Sequence, residues 1–125
     1  MKTRFISLVA AAALAAFAGF VHAQALLTSA DGVLVTVAGM TAYNFDQDVA
    51  DSGKSACSGP CAALWPAITA AADARPEGAL SLLTREDGVR QWVYKGKPVY
   101  RYSGDTRPGD RNGDNFRRMW HIIKP

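Results

Sequence analysis

The same order of landmarks occurs twice in this chain. Asp31-Gly32-Val33 returns as Asp87-Gly88-Val89, and Gly39 returns as Gly96 after one added residue. The motif Tyr43-x-Phe45-x-x-Asp48 returns as Tyr100-x-Tyr102-x-x-Asp105, and Trp65 has its counterpart in Trp120. Chance supplies any one of these pairs, but not all of them in one order at nearly one spacing. The chain is therefore read as two copies of one unit, about residues 25–70 and 79–125. Neither copy alone is large enough to cover its own apolar face, so the two are expected to pack into one domain.

Inside each copy the local pattern is that of β-structure. Val33-Leu34-Val35-Thr36-Val37 is a β-branched run, and Gln91-Trp92-Val93-Tyr94 is its counterpart. An Asp-Gly pair precedes each run and favours a tight reversal, so Ala25–Ser29 and Leu80–Arg85 are predicted as the strands before the turns. A second turn, at Gly39 and at Gly96-Lys97-Pro98, leads into the aromatic motif as a third strand. Fourth strands are predicted near Trp65–Thr69 and Trp120–Lys124. Residues 70–78, with Pro76 and Gly78, read as the linker, and a short helical turn at Cys61–Leu64 ends before Pro66. The fold class expected is all-β: two tandem antiparallel β-meander repeats packed as one pseudo-twofold domain.

In the third strand, Tyr43 and Phe45, like Tyr100 and Tyr102, are two residues apart and share one face. Rings on one face of a short strand serve as core more often than as a ligand platform, and the core reading is preferred. Asp48 and Asp105 follow the strand, where a short carboxylate accepts backbone N–H bonds and fixes a turn. That position is explained without catalysis.

The start of the chain is a separate element. Lys2 and Arg4 precede an apolar run from Phe5 to Val21, and Val21-His22-Ala23 has the small-residue ending of a secretory cleavage site. Residues 1–23 are read as a signal peptide cleaved after Ala23, leaving a mature protein from Gln24 without a membrane span, periplasmic or secreted. The whole chain carries 14 Lys and Arg against 11 Asp and Glu, and without Lys2 and Arg4 the balance is 12 against 11. So small an excess argues against nucleic acid as a partner. Asp110 and Asp114 interrupt the nearest basic patch, Arg111, Arg117 and Arg118.

Taken together, these motifs resemble the bacterial secreted-repeat family of predicted lipoproteins with a Tyr-x-aromatic-x-x-Asp motif, whose function is unknown. The stretch Cys57-Ser58-Gly59-Pro60-Cys61-Ala62 leading to Trp65-Pro66 is similar to that family's Cys-x-Gly-x-Cys-Ala region. Tyr94-Lys95-Gly96-Lys97-Pro98-Val99-Tyr100, with Pro108-Gly109-Asp110 and Asn112-Gly113, is similar to its second repeat. This chain has no lipobox Cys at the end of its apolar run, so a free form is expected rather than a lipid-anchored one. The resemblance implies little about activity beyond a weak association with alkane breakdown, which points to an apolar small molecule.

Cys57 and Cys61 are the only cysteines, and an exported chain meets an oxidising compartment, which favours a disulfide. The other reading is a periplasmic redox or copper-handling protein using Cys57, Cys61 and His121, since thiolate and imidazole suit that metal. Asp110, Asn112 and Asp114 alternate like the start of a calcium loop, but Asn115 stands at the sharp-turn position, and consecutive turns explain the same residues. No nucleophile elbow or phosphate-cradling Gly loop is present, and Asp46 and Asp48 flank one strand end without a visible cleft. The expectation is a non-catalytic export module without cofactor that binds a small apolar ligand or an envelope protein. An envelope-acting enzyme is the third reading.

Overall fold

The computed structural model describes residues 26–28 and 31–125. The signal peptide, its cleavage point and the outer residues Ala25 and Ser29 of the first predicted strand lie outside the described residues. Among the described residues no helix is long and apolar enough to cross a membrane.

The protein is made mostly of short strands in antiparallel sheets. In chain order, among the described residues, they are β1 (Leu26–Thr28), β2 (Leu34–Thr36), β3 (Tyr43–Phe45), β4 (Leu80–Thr84), β5 (Arg90–Tyr94), β6 (Lys97–Pro98) and β7 (Trp120–Ile122), with a short α-helix α1 (Pro60–Leu64) and a 3-10 turn at Phe116–Arg118. The Asp-Gly pairs form the reversals predicted for them: β1 pairs with β2 and β4 with β5, both antiparallel. Gly32 and Gly88 carry φ of 73° and 85°, values a side chain with a Cβ adopts only with strain. At the second turn Asp87 also accepts the Val89 amide at 3.0 Å, which fixes the loop from its own side chain.

The last segment of each repeat does not pair within its own repeat. β3 of the first repeat pairs with β7 of the second, with Tyr43 opposite Ile122 and Phe45 opposite Trp120. The second repeat makes the converse pairing, with Tyr100 opposite Ala67, and the Arg101 and Ser103 amides donate to the Pro66 and Leu64 carbonyls at 2.7 and 2.9 Å. The predicted strand Trp65–Thr69 is reduced to isolated pairings at Ala67 and Thr69. Pro66 has no N–H to offer a ladder, so a regular strand does not develop there. Between the two exchanges, Tyr43 and Tyr100 face each other and trade both backbone hydrogen bonds, at 2.8 and 2.9 Å.

This crossing divides the core into two clusters, each fed by both repeats. One gathers aliphatic residues and Trp92 around Ile68 and Val99, both fully buried. The other is aromatic: Tyr43, Phe45, Trp65, Tyr100 and Trp120, with Cys57 beside them. Burial within β3 alternates, with Tyr43 and Phe45 inside and Asn44 between them half-exposed, as the period of two requires.

Candidate functional site

The motif residues of each repeat find their partners in the other repeat. The Tyr43 hydroxyl donates to Asp105 Oδ2 at 2.6 Å, and the Tyr100 hydroxyl donates to Asp48 Oδ2 at 2.6 Å. The second oxygen of each carboxylate accepts a backbone amide from the loop that follows: Ala56 on Asp48 Oδ1 at 2.6 Å, Asn112 on Asp105 Oδ1 at 2.9 Å. The turn-fixing role predicted for the two Asp residues is thus present, and each also holds a phenol across the repeat boundary. Both carboxylates are nearly buried, at 4% and 5% exposure, so their bonds to phenol and amide replace water. Burial, and next the hydrogen bond to the carboxylate, raise the Tyr43 and Tyr100 phenols well above the ordinary tyrosine range.

The second aromatic of each motif is exchanged in the same way. Phe45 stacks on Trp120 with ring centroids 4.1 Å apart, and Tyr102 lies against Trp65 at 4.6 Å. Trp65 and Trp120 stack face to face at 3.9 Å and an interplanar angle of 2°, giving the run Phe45, Trp120, Trp65, Tyr102. Three of the four motif rings are buried as the core reading requires. Tyr102, at the end of the stack, is only half-buried.

Sequence reasoning missed the residues that close the lock. The Gly113 amide donates to the Tyr43 hydroxyl at 3.2 Å, and Ser55 Oγ shares a 2.6 Å hydrogen bond with the Tyr100 hydroxyl. A Cβ on Gly113 would lie 2.6 Å from Trp65 Cη2, so this glycine is needed for close approach of backbone to ring. Asn112-Gly113 had only its turn signal to offer. Lys97 Nζ donates to the Phe45 and Asp48 carbonyls at 2.8 and 3.0 Å, tying the end of β3 to β6.

Cys57 and Cys61 are joined in a disulfide with Cα atoms 5.2 Å apart, and Cys57 is buried beside the aromatic cluster. His121 pairs instead with Asp46, Nε2 to Oδ2 at 2.9 Å, on partly exposed surface. Among the described residues no three His, Cys, Asp or Glu side chains gather around a common point, so the structure does not bring Cys57, Cys61 and His121 together. The residues of the calcium-like run diverge as well. Asp110 caps the Thr106 and Arg107 amides, which hold its carboxyl below the usual range, while Asp114 accepts the Ile122 amide.

A cleft of about 530 Å³ opens beside the disulfide loop. Ser55, Ser58 and Gly59 form one wall, and Arg85, Glu86 and Asp87 of the β4–β5 turn form the other, with Lys54 at the rim. Arg85 spans the two walls by donating to the Cys57 carbonyl and, at 2.9 Å, to Gln91 Oε1. Gln91 is fully buried and donates in turn to the Val99 carbonyl at 2.9 Å, so the cleft floor is anchored to β5.

No curated protein and no solved structure matches the chain. Residues 25–69 and 81–124 each match the model of a family described as a secreted repeat of unknown function. The two matches bracket the two sets of exchanged motif residues, and the chain belongs to that family.

Proposed function

We propose that this protein is an exported, non-catalytic binding or interaction module of the periplasm or cell exterior, whose repeat motifs are scaffold and whose binding surface is the cleft beside the disulfide. Residues 24–125 then form one domain, its two repeats related by a pseudo-twofold axis between Tyr43 and Tyr100. The reciprocal bonds of those two residues support that symmetry. The observation that carries the functional reading is that both motif carboxylates and three of the four motif rings are used up inside the fold. A ligand platform needs its rings in solvent. The cleft offers exposed charged groups at Lys54 and Glu86, with Asp87, which also fixes its own turn, exposed beside them. That lining favours a polar or charged ligand, or a protein loop, over the apolar molecule the family association suggested.

The test is native mass spectrometry of protein taken from its own periplasm, wild type beside a Lys54→Glu/Glu86→Lys variant. Both substitutions lie on exposed side chains, so melting should be unchanged while bound mass or co-purified partner is lost. Retention of the same partner by the variant, or its loss from a motif variant that still folds, would move the site away from the cleft.

A further inference from the structure

The aromatic core has a feature that packing alone does not require. Two buried phenols each donate to a nearly buried carboxylate at 2.6 Å, and an unbroken run of rings connects both phenols to the surface. The run begins at half-buried Tyr102, passes to Trp65 at 4.6 Å and continues to Trp120 at 3.9 Å. Tyr43 meets Trp65 edge-on at 5.3 Å, and Tyr100 meets Trp120 edge-on at 5.1 Å. A phenol in an apolar interior resists losing an electron because its radical cation must discard a proton with nowhere to put it. A carboxylate already at hydrogen-bond distance removes that obstacle. The remaining tyrosine, Tyr94, lies instead near the Lys95 ammonium, 5.4 Å from the ring centroid, and a positive charge there opposes oxidation.

We infer that this core is a one-electron relay, in which oxidation at the exposed end of the stack passes through Trp65 and Trp120 and settles on the Tyr43 and Tyr100 phenols. The oxidant is a one-electron acceptor of the radical class that an oxidising compartment supplies. It takes one electron from Tyr102 or Trp65 and is itself reduced by one. An electron then moves outward from Tyr43 or Tyr100 to refill the stack, and the phenolic proton passes to Asp105 or Asp48. The product is a neutral phenoxyl radical beside a neutral carboxylic acid, and one electron from a small reductant with return of the same proton restores the start. Such a device absorbs oxidising equivalents within the fold and is independent of the cleft.

A photo-oxidised ruthenium polypyridyl complex serves as the probe on the mature protein, with radicals followed by transient absorption and captured by nitric oxide for peptide mapping. The wild type is expected to give a phenoxyl signal that forms more slowly in deuterium oxide, with capture at Tyr43 and Tyr100 in preference to Tyr94. In a Tyr43→Phe/Tyr100→Phe variant that signal should be lost and a tryptophanyl radical should persist. Capture confined to Tyr94 or Tyr102 in the wild type, or an undiminished phenoxyl yield in the variant, overturns the relay. The wild-type map decides the matter even where the double variant does not fold.

Discussion

Removing the Tyr43 hydroxyl should weaken the protein through a residue in the opposite repeat. In Tyr43→Phe the ring stays in place, but Asp105 loses a 2.6 Å hydrogen bond and the buried Gly113 amide loses its acceptor. A hydrogen bond to a charged group contributes about 1.5–3 kcal/mol, and an orphaned buried amide costs about 1 kcal/mol or more, so a loss of roughly 3–4 kcal/mol is expected. Tyr100→Phe frees Asp48 Oδ2 as well, but the Ser55 hydroxyl proton released from the phenol can turn to the Cys57 carbonyl, and the loss should be smaller, roughly 2–3 kcal/mol. Either is a large share of the roughly 5–15 kcal/mol of a domain. The sharper measurement is the pattern of coupling in double-mutant cycles, read from urea midpoints at constant m. Replacing Asp105 or Asp48 by Ala also strands the Asn112 or Ala56 amide, but that cost is common to single and double variants and cancels in the cycle. Tyr43 with Asp105, and Tyr100 with Asp48, should couple by about 1.5–3 kcal/mol. Tyr43 with Asp48, and Tyr100 with Asp105, should add within about 0.5 kcal/mol. Coupling inside a repeat with none across the boundary would refute the exchanged arrangement.

Changing both Cys57 and Cys61 to Ser should cost about 2 kcal/mol on the loop-entropy estimate, and unreduced protein should show no free thiol on titration. Phe45→Ala should cost about 3–5 kcal/mol in a denaturant melt because its ring is buried on Trp120, whereas half-buried Tyr102 should cost about 2 kcal/mol when truncated. Gly113→Ala drives a methyl into Trp65 and should destabilise by about 1–3 kcal/mol, with a change in near-ultraviolet circular dichroism. The raised phenols set the alkaline limit. Their contribution is complete below the unfolded tyrosine pKa of about 10 and is lost above it, because the unfolded chain then releases protons that the native phenols retain. Stability should fall by about 1.4 kcal/mol per pH unit for each such phenol, and Tyr43→Phe should reduce the slope by one proton.

Much of this was legible in the residues. The Asp-Gly pairs located the hairpins, and the two-residue spacing of Tyr43 and Phe45 put both rings inside. What the repeat could not reveal was which copy each partner comes from. Within one copy, a motif followed by a later Trp reads as consecutive strands of a meander, and nothing in a linear pattern distinguishes pairing with the next strand from pairing with its equivalent fifty-odd residues away. The loop residues that complete the lock were hidden for a different reason. Ser55 and Gly113 act on the phenols through one hydroxyl and one backbone amide, and such contacts leave no periodicity to detect. The buried Gln91 was concealed in a β-branched run, where its burial depends on the Arg85 guanidinium and the Val99 carbonyl that satisfy its amide.

The exchange also decides what a repeated motif means in this fold. Each Tyr needs an Asp that its own repeat does not supply, and each second aromatic needs the other repeat's Trp. The motif must therefore occur in both copies for either to be satisfied, and no ligand is required to account for its recurrence. A defect in one motif leaves a buried carboxylate unpaired in the other half, so the two repeats should unfold together. The parts without a counterpart are the disulfide loop of the first repeat, which forms the cleft against the β4–β5 turn of the second, and the Arg-bearing segment before β7. The symmetric lock does not specify these parts, and they are where two copies of one unit have room to acquire different tasks.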